Sequence, residues 1–108
     1  MDESHFRARI EVEYKELQRL SDASRQSRAP VELDQQLIGR LSRMDAIQQR
    51  SMDMACEERR KVRIAKLKTA LNRIDNREFG YCLACGEDIS MQRLEIDPAV
   101  TLCVDCQR

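Results

Sequence analysis

The strongest constraint on this chain is the run YCLACGEDISMQRLEIDPAVTLCVDC, Tyr81 to Cys106, which holds four of the five cysteines as two Cys-x-x-Cys pairs, Cys82/Cys85 and Cys103/Cys106. Residues 86–102 separate the pairs, giving C-x2-C-x17-C-x2-C. This spacing falls in the range of a structural zinc site. Two residues between cysteines let a tight turn aim both sulfurs at one point. Two such turns supply four thiolates in a tetrahedron. Gly86 suits the first turn, where a positive φ is often needed. The second, TLCVDC, has no such glycine and must be built differently. Ile89, Met91, Leu94 and Ile96 can cover the site as a small apolar lid, and Pro98 marks a turn.

Three chemistries compete for these cysteines: a closed structural zinc site, a redox dithiol and a catalytic zinc. One Cys-x-x-Cys pair can be redox-active, but two at this spacing rarely are. A catalytic zinc keeps an open position and usually takes His or carboxylate ligands. The only histidine, His5, lies at the other end of the chain and reads as a helix-start residue. The expectation is one structural Zn²⁺ on Cys82, Cys85, Cys103 and Cys106, with no catalytic residues and no enzymatic activity. Cys56 reads as a packing residue in mid-helix, because no histidine near it in sequence would activate the thiol.

The remainder of the chain reads as helix. Charged residues make up 35% and aromatics 4%, with no Trp, so a large globular core is excluded. Phe6, Ile10, Tyr14, Leu17 and Leu20 step by four and three, the stripe of one helix. Residues 21–32, SDASRQSRAPVE, lose the period and read as a loop. Asp34 can cap a second helix, whose stripe is Leu37, Leu41, Met44, Gln48, Ser51 and Ala55, resuming at Ile64, Leu67, Leu71 and Ile74. Gly39 either lets the two backbones approach or loosens the helix end. A helix of some 40 residues needs its stripe covered, and a short loop makes the first helix its antiparallel cover. The expected fold class is mainly α. A long, coiled-coil-like antiparallel hairpin occupies residues 1–76, with helices at about 5–22 and 34–76 and a loop at about 23–33. A four-cysteine zinc-finger module follows at 77–108. The first helix is expected along the early half of the second. The late half, beyond about Glu58, is expected against the N-terminal end and the cysteine module.

Charge is unevenly spread within a formal total of zero. Residues 59–73 carry seven basic side chains (Arg59, Arg60, Lys61, Arg63, Lys66, Lys68, Arg73) and no acidic one. The neutral total argues against a protein that coats nucleic acid nonspecifically. The basic run leaves open a weak nucleic-acid contact, a partner site or a solvated face. The N-terminus is charged throughout, without a secretory core, and no segment approaches a membrane span. A cytoplasmic location is expected, where metal thiolates outlast disulfides.

The stretch FGYCLACGEDISMQRLEIDPAVTLCVDCQR, Phe79 to Arg108, resembles the four-cysteine zinc finger of the bacterial DksA/TraR family. The match covers the Phe-Gly-Tyr lead-in, both cysteine pairs, Gly86, Ile89, Arg93-Leu94, Pro98 and the closing Cys-Gln. The helical hairpin ahead of the finger agrees with it. The resemblance implies a transcription regulator that binds RNA polymerase directly rather than promoter DNA. Its hairpin would enter the secondary channel, and acidic tip residues would act near the active site, often together with ppGpp. On this reading Glu32 and Asp34 are candidate tip residues, and Arg40, Arg43 and Asp45 candidate partner contacts. The Asp-x-x-Asp-x-Ala tip of well-studied members is absent. Asp45 is followed directly by Ala46, but it lies about three turns into the second helix. A monomer is expected. The alternatives are a general protein-interaction module built on a structural zinc, or a nucleic-acid binder using residues 59–73.

Overall fold

The computed structural model describes residues 3–25, 28 and 40–107, with the side chains of 40–42 excepted. Among these, α1 spans Glu3–Ala23, α2 Arg40–Asp75, α3 Met91–Ile96 and α4 Val104–Gln107. The first two form a long helical hairpin, and the last two belong to the cysteine module. The molecule measures 62 × 28 × 20 Å. Its long axis is set by α2, whose 36 residues rise about 54 Å.

The hydrophobic core sits at the base of the hairpin. Phe6 and Ile10 of α1 meet Leu67, Ala70 and Ile74 of α2, and the module adds Phe79, Cys82, Ile89, Leu94 and Ala99. Phe6 and Phe79 pack with ring centroids 5.6 Å apart. Tyr14, Leu17 and Leu71 are partly buried against this cluster. The α1 stripe therefore runs inward as its period requires, with burial fading away from the module. The same holds for Ile64, Leu67, Leu71 and Ile74.

The early half of α2 differs from expectation in two ways. First, α1 does not lie along it. The contacts pair Arg7 with Asp75, Glu13 with Arg63 and Ser21 with Glu57, so α1 covers α2 only from about Glu57 onward. Second, the expected stripe positions Met44, Gln48, Ser51 and Ala55 are exposed. The partly or fully buried positions are Ala46, Arg50, Asp53, Cys56, Glu57 and Arg60, and of these Arg50, Glu57 and Arg60 make polar contacts outside α2. Glu57 is 2% exposed. It accepts from Ser21 Oγ at 2.7 and 2.8 Å and from Arg28 Nε at 3.1 Å. Arg28 also donates to the Ser21 carbonyl, tying down the end of α1. A buried carboxylate is tolerated where such donors surround it. The expected helix start at Asp34, Gly39 and most of the expected loop lie outside the described residues.

α2 ends in a Schellman motif. Glu78 N–H donates to the Arg73 carbonyl at 2.7 Å and Arg77 N–H to the Ile74 carbonyl at 3.2 Å. Arg77 takes φ 60° at the position that glycine usually fills. This reversal turns the chain back onto the hairpin base and delivers Phe79 to the core. Polar side-chain contacts then fasten the module. Arg63 Nη1 reaches Asp97 at 2.9 Å while its Nε holds Glu13 at 2.5 Å. His5 and Arg9 meet Glu95 at 3.4 and 3.3 Å.

Candidate metal centre and partner surfaces

The first cysteine turn is built by backbone. Tyr81 and Asp88 form an antiparallel bridge. Inside it Cys82 N–H donates to the Glu87 carbonyl at 2.8 Å and Gly86 N–H to the Cys82 carbonyl at 2.9 Å. Gly86 adopts φ 78°, as the spacing argument requires. The second turn is helical instead. Cys103 precedes α4, Cys106 lies within it, and Gln107 N–H donates to the Cys103 carbonyl at 3.0 Å. A helical turn brings residues three apart to one side, so no glycine is needed. Leu83 N–H donates to the Thr101 carbonyl at 2.8 Å, tying the two turns together.

These turns bring Cys82, Cys85, Cys103 and Cys106 together, with all four sulfurs within 4.8 Å of one another. Cys85 and Cys103 Sγ stand 3.8 Å apart. A disulfide needs about 2.05 Å. A tetrahedron of sulfurs each about 2.3 Å from a central ion has an edge of about 3.8 Å. The separation thus fits metal coordination and not a sulfur–sulfur bond. The backbone N–H of Cys103 foremost, then those of Cys85 and Ala84, pull the Cys82 thiol down to about 6. Its neighbours Cys103, Cys82 and Cys85 push Cys106 up to about 12. Thiols this close cannot all ionise without a cation to hold them. The four cysteines are positioned to bind a metal ion.

The lid over this site is only half as expected. Ile89 and Leu94 are buried, whereas Met91 and Ile96 are 47% and 84% exposed. Phe79 and Ala99 take the inner places. α3 is short and capped by Ser90, whose Oγ accepts from Arg93 N–H at 3.2 Å. Its single inward face has room for Leu94 alone. Pro98 sits in the expected turn, which Asp97 closes by accepting from Ala99 N–H at 3.0 Å.

The other candidates are not gathered with the cysteines. Glu32 and Asp34 lie outside the described residues, as does the side chain of Arg40. Arg43 and Asp45 are exposed on α2, beyond the reach of α1. About 48 Å of helix separates Arg43 from the end of α2. The basic run proves heterogeneous. Arg63 is paired with Glu13 and Asp97, Arg60 donates to Ser24 Oγ at 3.3 Å, and Arg73 is buried. Arg59, Lys61, Lys66 and Lys68 remain exposed. Cys56 is half-buried and accepts from Arg59 Nη2 at 3.2 Å.

Sequence reasoning missed Glu57, Arg63 and Arg73 as structural residues. The signal for Arg73 was its place beside Ile74 and three residues after Ala70, on the inward face. For Glu57 only the charged run EERRK, residues 57–61, which interrupts the apolar stripe, hinted at a polar contact.

The prokaryotic dksA/traR C4-type zinc finger family matches residues 77–108. The RNA polymerase-binding transcription factor DksA of Haemophilus influenzae is 37% identical over 57 residues, which are 53% of this chain and 39% of that protein. The protein of the same name from Escherichia coli is 35% identical over 57 residues, 53% of this chain and 38% of that protein. The match therefore spans about two fifths of the curated relatives. The solved structure of transcription factor DksA2 from Pseudomonas aeruginosa is similar with a TM-score of 0.77 and 25% identity. It covers 96% of this chain and 78% of that one.

Proposed function

We propose that this chain, whose residues 77–108 form a DksA/TraR-type finger, is a non-enzymatic transcription regulator that binds RNA polymerase directly in the bacterial cytoplasm. The observation that carries the reading is the likeness to a solved DksA2 transcription factor over 96% of the chain. Relatives named for polymerase binding support it. The shape agrees: a molecule 62 Å long and 28 × 20 Å across is elongated enough for one end to enter a narrow channel such as the secondary channel. On this reading Arg43 and Asp45 sit toward the inserted end, with Glu32 and Asp34 in the connecting segment as tip carboxylates. A dependence on ppGpp is a separate question for the transcription assay.

In the same reading Cys82, Cys85, Cys103 and Cys106 hold one structural Zn²⁺. Four thiolates leave no open position, so the metal holds the fold rather than reacting. The nucleic-acid reading loses ground because Arg60, Arg63 and Arg73 are engaged inside the molecule.

The test is co-purification with core RNA polymerase, followed by promoter-complex lifetimes with and without ppGpp. Residues 29–34 are replaced by Gly-Ser in a second protein, leaving Arg28 to hold Glu57. The expected result is binding by both proteins and a changed lifetime only with the natural sequence. Absence of polymerase binding by the natural chain would overturn the proposal.

A further inference from the structure

Two arginines beside the cysteines carry charges that no carboxylate among the described residues answers. Arg73 is 6% exposed. Its Nη2 donates to the Glu78 carbonyl at 3.0 Å and to the Tyr81 carbonyl, and its Nε is buried without an acceptor. Arg93 is half-buried. Its Nε donates to the Leu102 carbonyl at 3.0 Å and its Nη2 to Gln107 Oε1. Neither takes part in the ion pairs found among the described residues, in contrast to Arg63 with Glu13 and Asp97. Burying a guanidinium is costly unless opposite charge lies near.

The two contacts follow one rule. Tyr81 immediately precedes Cys82, and Leu102 immediately precedes Cys103. Each arginine thus grips the carbonyl one residue ahead of the first cysteine of a pair. Each also holds a second point, Glu78 before the first turn and Gln107 after the second. Four thiolates on a divalent cation leave a net charge of about −2. Two guanidinium groups, one at each turn, match that charge.

We propose that Arg73 and Arg93 are the counter-charges and positioning residues of the four-thiolate metal centre, one for each cysteine pair. The proposal rests on the zinc reading above. It makes metal loading and the last turn of α2 a single event. Arg73 is anchored in that turn, and removal of the metal leaves it buried with less negative charge beside it. Outer partners of metal ligands commonly set affinity in this way.

The test uses the full chain with Arg73→Met, Arg93→Met and Arg93→Lys. Zinc affinity is measured by competition with a chromophoric chelator. Melting is followed in the metal-loaded and chelator-treated forms, and Co²⁺ replaces zinc for the thiolate charge-transfer spectrum. Each Met variant is expected to weaken zinc binding by about 10- to 100-fold. Arg93→Lys should recover part of that loss and shift the Co²⁺ band less. The gap between metal-loaded and metal-free melting should narrow in Arg73→Met, because the metal-loaded form loses a counter-charge and the metal-free form is relieved of a poorly compensated one. Arg93 is half-buried, so its variants keep the test valid should Arg73→Met fail to fold. Natural affinity in Arg93→Met, or an equal loss of stability with and without metal, would overturn the proposal and leave the zinc reading standing. A natural chain that binds no metal would overturn both.

Discussion

Glu57 is a carboxylate standing where a core side chain belongs. It is tolerated because Ser21 and Arg28 donate to both its oxygens. Glu57→Ala would strand those donors and is expected to cost about 3 kcal/mol, read from the urea midpoint. Glu57→Gln keeps shape and one acceptor and should cost clearly less. Cys82 gives a pH signature at the same scale. Its thiol ionises near 6 in the metal-free protein, below the ordinary 9.0. Zinc binding at pH 7 should therefore displace fewer than four protons. The number should rise as pH falls through about 6, and affinity should drop more steeply below that point. Calorimetry in buffers of different ionisation enthalpy reads the proton count directly. A count of four at both pH 7 and pH 5 would contradict the assignment.

At the scale of elements, α2 does two jobs with one continuous helix. From Glu57 to Ile74 it is a wall of the core, with α1 and the module on it. From Arg40 to Cys56 it continues beyond α1 and exposes Met44, Ile47, Met52 and Met54. Its C-terminal stop is made by geometry, not by glycine, since Arg77 occupies the left-handed position at φ 60°. A non-glycine residue there costs about 1 kcal/mol. Arg77→Gly is expected to raise stability by up to about that amount, the gain being trimmed by the freer unfolded chain. Thermal melting of the metal-loaded protein checks it. A lower melting temperature would mean that the Arg77 side chain contributes more than its strain costs.

For the whole molecule, the core lies at one end and the candidate partner residues Arg43 and Asp45 toward the other. The base is shared: Phe6 from α1 and Phe79 and Leu94 from the module belong to one cluster. Chelation of the metal should therefore loosen more than the finger. Amide exchange is expected to speed up around residues 80–106 and also near Phe6 and Ile74. The stretch of α2 between Met44 and Arg50 should change little. Loss of protection confined to the finger would show that the hairpin base stands by itself. Cys82→Ser should reproduce the chelated pattern while keeping much of the helix signal.

The zinc-site spacing, the helix stripe from Phe6 to Leu20, the run from Ile64 to Ile74 and the positive φ of Gly86 could all be read from the sequence. Each follows from local geometry: helical period, turn closure and steric freedom act between near neighbours in the chain. The inward face of α2 before Ile64 could not be read, because Glu57 and Arg60 are indistinguishable from solvated charges until Ser21, Ser24 and Arg28 are brought to them. The lid failed for a related reason. α3 has one inward face, and packing against Phe79 chose Leu94 for it over Met91 and Ile96. The sequence by itself determined that this chain makes a long hairpin and a four-cysteine clip. Only the tertiary structure decided how far α1 runs along α2 and which arginines are buried beside the clip. Those outcomes depend on contacts between residues tens of positions apart, whose desolvation and pairing are settled when the elements meet.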